Sequence, residues 1–481
     1  MLESQSHQQL KVLLKQGDAS WPHHLTLSRL VGRSLRRRDT TLLQLSPCSG
    51  SRWWLGLLVP LCLQPGAAAL VVDASQRQHL LQRELPRLRQ QGLRLACWQG
   101  SNPPPGDQLW LLDEAELLAA YRNNQLGERQ LLVPDADLLS QRLRRCMSLQ
   151  ITSEDWERLR QSHPEADAAL VDLHDRMSRQ VFGMASRTDA LVRINSATSQ
   201  ALRDLLRVIG PCPSPWADLL SIHPDQWAEW AVLDHRMLQW SWQLKPLEPL
   251  EVLQGLLSER PVLLLSASGD SSRLDHDLQT ANVQPQVTAR LKSQELDEPL
   301  PLYAPRRQPL PNTEIYANHL LEQSRRLILG RTGLTVVLID DQQLRRQLTS
   351  ALAAEFGRRV MEQSTAPDSN GVISASWSWW LNNHNRLPAP DQIIVGMLPL
   401  ASLCCPLTAA RVERMKSRGS DWFRMLLLPE ALNLIPQAVA PLRLSKGRLA
   451  ILDGRLRGRS WGEKILQILD PWVPPQRLLP D

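Results

Sequence analysis

Short runs that are apolar on both faces recur along the first half of the chain, at residues 41–45, 69–73, 109–112, 131–133 and 261–266. Their length and lack of alternation predict strands of a parallel sheet covered on both sides. Between them, segments such as 76–91 carry apolar residues at helical spacing with charged residues on the opposite face. Strand and helix alternating in this way predict an α/β domain. From residue 151 to 245 the strand-like runs stop and helical patterns rich in Arg, Asp, His and Trp take over, with Pro211, Pro213 and Pro215 marking a turn. A second α/β series follows. Residues 283–312 are irregular and Pro-rich, then Tyr316, Leu320 and Leu327 share one helical face and Leu344, Leu348 and Leu352 another. Further strands are predicted at 335–339, 371–375, 392–397 and 448–453.

The expected organisation is therefore a polar N-terminal segment (1–20) and a first α/β domain (21–150, completed by 246–282). A helical insertion (151–245) interrupts that domain, and a second α/β domain (283–481) follows it. A chain of 481 residues has room for two or three such cores. A hydrophobic fraction of 43% with 22% charged residues excludes wholesale disorder. Seven cysteines without CxxC spacing read as reduced thiols of a cytoplasmic protein, not as a disulfide framework or a zinc site. Residues 1–16 lack the basic-then-apolar layout of a secretory signal. The apolar stretch 53–72 is broken by Pro60, Gln64, Pro65 and Gly66, so a buried helix, a turn and a buried strand are predicted there, not a membrane span. A net charge of +6 favours approach to a phosphate backbone without requiring it. The 17 tryptophans, against 3 Phe and 3 Tyr, offer rings that stack on bases, but their area predicts that most are core.

Several sequence blocks then fall into one order. Leu428-Pro429-Glu430-Ala431, Gln437, the run from Leu449 to Arg455 and Ser460-Trp461-Gly462 resemble the last motif block of the DinG/XPD-type superfamily 2 DNA helicases, "lPxA … Gln-Gly-x-Gly-Arg-x-x-Arg … viLDxR … YG". Leu398-Pro399-Leu400 with Cys405-Pro406-Leu407 resembles the family's "LPF…DPL", and Asn312 with Tyr316 its "PN…Y". In the first half, Ser49-Gly50-Ser51-Arg52-Trp53-Trp54 stands where the family has its phosphate loop. Pro134-Asp135-Ala136-Asp137 resembles the DEAH box, and Ser266-Ala267-Ser268 resembles "TSAT". Ser75 lies at the strand end where a DNA-contacting motif belongs. The resemblance implies two RecA-like parallel-sheet domains with a helical, arch-like insertion in the first. It also implies ATP-dependent work on DNA, with Ser75, Ser266 and Ser268 toward nucleic acid.

The chemistry that the resemblance implies requires residues this chain replaces. A phosphate loop directs backbone N–H groups at phosphate, a Lys neutralises the γ-phosphate, and a hydroxyl holds Mg²⁺. In one register Trp53 and Trp54 occupy the Lys and hydroxyl positions; in the other Arg52 supplies a charge and Trp53 replaces the hydroxyl. Pro134 stands where the metal-linked Asp belongs, and Asp135 keeps a carboxylate at the water-orienting position. The Gly-Arg of the last motif is Ala440-Pro441, with Arg443 the remnant that could reach across a cleft. No cofactor is expected, ATP with Mg²⁺ being the only ligand the resemblance offers. Cys62 and Cys97 alone fall in the interval where relatives hold an iron–sulfur cluster, which needs four ligands, so none is expected. Arg36-Arg37-Arg38, Arg142 with Arg144-Arg145, and Arg325-Arg326 are candidate phosphate contacts or ordinary solvated faces. Trp377, Trp379 and Trp380 either stack on bases or fill the core. The favoured reading is a non-catalytic nucleic-acid- or partner-binding protein, with single-stranded or branched DNA as candidate partner. A divergent active helicase using Arg52 and Asp135, and a protein-only scaffold, are the alternatives.

Overall fold

The computed structural model describes residues 2–15, 21–45, 52–64, 66–184, 190–267, 271–291 and 298–475. In chain order its strands are β1 (Thr41–Leu45), β2 (Ala68–Val71), β3 (Cys97–Trp98), β4 (Leu109–Leu112), β5 (Gln130–Val133), β6 (Leu149–Ile151), β7 (Leu191–Arg193), β8 (Trp227–Asp234) and β9 (Gln239–Pro246). Then come β10 (Val262–Ser266), β11 (Val287–Leu291), β12 (Leu300–Tyr303), β13 (Thr335–Leu338), β14 (Val360–Glu362), β15 (Val372–Ala375), β16 (Gln392–Val395), β17 (Arg448–Ile451) and β18 (Trp472–Val473).

Two seven-stranded sheets organise the chain, with orders β11-β1-β10-β5-β2-β4-β3 and β14-β15-β13-β16-β17-β12-β18. Every pairing within them is parallel. The strands are apolar on both faces because both faces are covered. In the first lobe Leu43, Leu70, Leu132 and Leu263 point to one core, which includes Trp54, Leu57 and Leu58 of helix Trp54–Leu63. Their neighbours Leu42, Ala69, Leu131 and Leu264 point to the other, with Leu139 and Leu143 of helix Ala136–Cys146. The second lobe repeats this: Val336, Ile373 and Ile393 face helix Leu428–Ser445, while Val337, Val372 and Ile394 face helices Tyr316–Ile328 and Gln342–Phe356. All nine strands predicted as apolar runs are present, as are the helical faces of Leu320 and Leu348.

The insertion differs from its expectation. Beside helices such as Asp167–Met184 and Ser196–Ile209 it contains an antiparallel sheet, β6-β9-β8-β7. The reason is visible in Gln239-Trp240-Ser241-Trp242-Gln243-Leu244, which alternates polar and apolar with period two, as a half-covered strand does. Trp156, Trp216, Trp240 and Trp242 form the core beneath it. Residues 283–312 likewise hold β11 and β12. β11 adds to the first sheet, so the first lobe runs past residue 282. The N-terminal segment is also more than polar: Leu2, Leu10 and Leu13 are buried on one face of helix Leu2–Lys15, which packs on helices His24–Arg37 and Trp54–Leu63. The apolar stretch 53–72 resolves into that last helix followed by β2. One continuous helix, Phe423–Ser445, is long and apolar enough to cross a membrane, and 67% of its apolar window is buried within the protein.

The lobes meet along a buried ionic seam. Glu248, 6% exposed, accepts from Arg273 Nη2 at 2.6 Å and lies 3.6 Å from Arg411 of lobe two and 3.9 Å from Arg144. Arg273 pairs with Asp277 at 2.6 Å and Arg411 with Glu430 at 2.9 Å. Arg144 also donates to the carbonyls of Pro246 and Leu247 at 3.0 and 2.9 Å, fixing the end of β9 to the first lobe. Helix Pro406–Ser417 of lobe two adds Arg414 to Glu251 at 2.6 Å and Glu413 to Arg193 of the insertion at 3.1 Å. Removing one partner of a buried ion network leaves an uncompensated charge, which costs about 3–5 kcal/mol. Glu248→Ala is therefore expected to lower unfolding stability in urea by about that amount. Exposed Glu165→Ala should stay within about 0.5 kcal/mol of wild type; equal effects from both would contradict a central role for Glu248.

Candidate functional site

At the end of β1 the phosphate-loop positions Ser49, Gly50 and Ser51 lie outside the described residues, as does Ser268 beyond β10. The helix that follows begins at Trp54, with Trp53 at its cap and no side-chain oxygen capping it. Trp53 and Trp54 are 6% and 2% exposed, and their rings stack with centroids 4.2 Å apart and planes at 28°. Arg52 is exposed, and its carbonyl accepts from His24 Nε2 at 2.8 Å. His24 Nδ1 in turn accepts from the Trp21 N–H at 3.1 Å. One ring nitrogen must donate and the other accept, so this geometry selects the neutral imidazole, and burial also holds the His24 pKa below its ordinary value.

Asp135 follows β5. Its Oδ2 accepts from Gln76 Nε2 at 2.5 Å and from Arg142 Nη2 at 3.2 Å. Arg142 also reaches Asp73 at 3.0 Å and Glu114 at 3.2 Å, so one guanidinium serves three carboxylates gathered from separate strand ends. Burial holds the Asp135 carboxyl above the usual carboxylate range, against the pull of the Arg142 charge. Asp137 turns the other way. Its carboxylate accepts from Ser266 Oγ at 2.7 Å and from the Ala267 N–H at 3.0 Å, and burial pushes its pKa up to about 7. The DEAH-like and TSAT-like segments are thereby joined directly. Neither aspartate is a freely solvated strand end.

Two expected contacts are reassigned. Ser266 is 1% exposed and its hydroxyl is committed to Asp137, so it is not presented to nucleic acid. Arg443 donates to the carbonyls of Leu469 at 2.6 Å and of Asp470 and Pro471 at 3.4 Å, tying down the chain before β18, so it is not a finger aimed at the first lobe. Counting from Gln437, the second arginine of the family pattern falls on Leu444, which is 81% exposed. Ser75 is exposed at the start of helix Ala74–His79, where Asp73 and Gln76 form a capping box. Gln437 lines a cavity between the lobes together with Asp137.

No family model matches the chain. Over 125 residues it is 29% identical to the ATP-dependent DNA helicase YoaA of Haemophilus influenzae, and over 179 residues 27% identical to YoaA of Escherichia coli. These stretches are 25% and 34% of this chain and span 20% and 28% of those relatives' own length. Among solved structures, S. tokodaii Xpd4 superposes with a TM-score of 0.61 at 12% identity, covering 91% of this chain and 96% of that one. An XPD structure in its apo form gives 0.60 at 14%, covering 93% and 99%. The chain is a relative of the DinG/XPD-type superfamily 2 helicases.

Within that DinG/XPD-type frame, the basic groups of the chain are largely engaged internally. Arg36 pairs with Glu3, Arg325 with Glu322 and Glu355, Arg142 with its three carboxylates, and Arg144 is buried at the seam. Trp377 and Trp380 are core residues, with indole N–H groups donating to Met397 and Ala438 carbonyls at 3.0 and 2.8 Å. Of the 17 tryptophans eleven are buried. Cys62 and Cys97 are neutral thiols, burial pushing them up to about 12 and about 11. Sequence reasoning missed Arg142 as the partner of Asp135. The signal was its spacing of seven residues, two helical turns, which puts both on one face of the helix.

A pH dependence follows from Asp137. Its folded pKa of about 7 lies above the 3.8 of a free carboxyl, so between those values the folded chain retains a proton that the unfolded chain releases. That component of stability is fully present below pH 3.8 and is lost as pH rises through about 7. Asp137→Asn mimics the protonated form. Its urea midpoint relative to wild type should rise from pH 4 to 7 and level off above; a flat difference would remove Asp137 as the titrating group.

Proposed function

We propose that this DinG/XPD-type relative works without ATP turnover, as a nucleic-acid- or partner-binding protein in DNA maintenance inside the cell. The observation that carries the reading is the stacked, buried Trp53–Trp54 pair at the start of the helix that follows the phosphate-loop position. Phosphoryl transfer in this fold depends on a cation, a metal-holding hydroxyl and a metal-linked carboxylate converging on the γ-phosphate. Two indoles stand at the first two positions in one register, and Pro134 stands at the third. Asp135, the one carboxylate kept, is held by Arg142 and Gln76. These residues do not fit the donor set that ATP with Mg²⁺ requires. Losing one such group costs orders of magnitude in rate, and the effects of groups acting together do not simply add.

Purified protein is expected to hydrolyse ATP no faster than its Asp135→Ala variant, with or without single-stranded DNA. A DNA-stimulated rate that collapses in Asp135→Ala would replace this reading with that of a divergent active helicase. Binding to single-stranded DNA, measured from 50 to 200 mM salt, separates the two non-catalytic forms. Affinity falling steeply with salt marks a nucleic-acid module, and its absence marks a scaffold for protein alone.

A further inference from the structure

The ionic seam borders a half-open cavity of about 310 Å³ that the proposed function does not use. Arg144, Arg145 and Arg273 line it from lobe one, Lys245 from β9, and Arg411 with Gln437 from lobe two. Asp137 and Gln437 line it while Arg52 and Asp135 do not, so it adjoins the place where the family's water-orienting residue falls and extends from there along helix Ala136–Cys146. Its charges do not cancel. Five cationic side chains face Asp137, Asp277 and Glu430, with Glu248 behind them as a fourth carboxylate. One positive charge is left over, and a second appears once Asp137, with its pKa of about 7, takes up a proton. Burial, with the Arg411 charge beside it, pushes Arg144 down to about 9, whereas Asp277 and Glu248 hold Arg273 firmly protonated.

Hydrogen bonding is also incomplete there. Arg273 Nη1 and both Nε and Nη2 of Arg411 are buried with no acceptor among the described residues, although the two side chains are 5% and 6% exposed. A buried charged donor without an acceptor is costly, so it marks a place where an acceptor belongs. Glu248 sits 3.6 Å from Arg411 Nη2, beyond hydrogen-bonding distance, so it neutralises charge without satisfying that N–H. The planar fork of a guanidinium matches the oxygens of a phosphate group and carries the charge to hold it. We propose that the seam cavity binds a phosphate-bearing anion, held by Arg273 and Arg411, with Lys245 and Arg145 at its mouth. The volume exceeds that of a bare phosphate and reaches the lower end of ordinary ligand pockets, about 300–1,000 Å³. Free phosphate and a nucleoside 5′-monophosphate share the required chemistry.

The test is a thermal melt of the full chain with inorganic phosphate, AMP or adenosine, with chloride holding ionic strength constant. Phosphate or AMP is expected to raise the melting temperature saturably, and adenosine to leave it unchanged. Tighter binding of AMP than of phosphate assigns the nucleotide as source; equal binding assigns the free anion. Arg411→Gln should weaken binding about tenfold, the effect of one charge-assisted contact. Arg145→Gln and Lys245→Gln leave the Glu248 ion pairs intact, so they decide the matter if Arg411→Gln does not fold. Each should weaken binding about threefold, the loss of a more solvated charge. No saturable shift with either anion, or shifts unchanged in every folded variant, overturns the site. The outcome is independent of ATP turnover, so failure here leaves the proposed function untouched.

Discussion

The arrangement of this molecule depends on one buried carboxylate. Glu248 sits where the insertion returns to the first lobe, and it draws together Arg273 and Arg144 of that lobe and Arg411 of the second. Desolvating these groups costs about as much as their attraction returns, so the network adds little net stability. Its consequence is alignment. The charges are compensated only when the segment at Glu248, helix Ser272–Thr280 and helix Pro406–Ser417 stand in one register. A displacement of the lobes by the length of one side chain strands several ions at once. The apolar contact of Ala228, Trp230 and Leu247 with Leu407 and Ala410 supports the same register from the insertion side. A seam of this kind holds the two RecA-like lobes and the insertion in one arrangement.

The fold was legible because its strands are buried on both faces. Continuous apolar runs such as Leu42-Leu43 and Ile393-Ile394 alternate their side chains between two cores, and this is why they show no amphipathic pattern. What escaped were the insertion sheet, the edge strands β3, β11, β14 and β18, and β12 beside β18. β3 and β18 are two residues each, too short for any periodicity to register. β9 alternates cleanly, but in β8 Trp227 and Trp230 stand three apart, a spacing that also fits a helix, and only the pairing of the two strands resolves it. The site was legible at the level of order, not of contact. Asp135 follows β5 and Ser266 ends β10, as the apolar runs before them implied, yet whether a side chain serves a ligand or a neighbour depends on partners far away in sequence. Ser266 finds Asp137 across 129 positions and Arg142 finds Asp73 across 69, distances at which spacing carries no information.

The internal pairing of arginine is the common thread. Arg142, Arg144, Arg273 and Arg411 each have carboxylates or carbonyls within reach, and they are built into helices at strand ends, where a nucleotide-driven enzyme would direct charge toward phosphate. Guanidinium groups are well suited to this because a planar fork with five donors bridges several acceptors at once. A basic composition is therefore a poor guide to this protein's surface. Many arginines hold strand ends and lobes together against carboxylates or carbonyls, so their number overstates the cations presented to a partner, although the net charge of +6 is unchanged by such pairing.

The phosphate-loop end of the first lobe shows the same consolidation in apolar form. Trp53 and Trp54 are part of the core that contains Leu27, Leu57 and Leu58, and Trp54 lies close to His79, with ring centroids 6.1 Å apart. Placing a lysine at 53 would introduce an ammonium at a site only 6% exposed, where desolvation opposes charge. It would also remove the larger part of a stacked pair. His24 adds a further constraint, since its neutral ring bridges the Arg52 carbonyl to the Trp21 amide and fixes the backbone just ahead of the helix. A polar substitution at Trp53 or Trp54 therefore meets a packed and hydrogen-bonded surface. The stability of the first lobe thus draws on Trp53, Trp54 and His24 at the start of helix Trp54–Leu63.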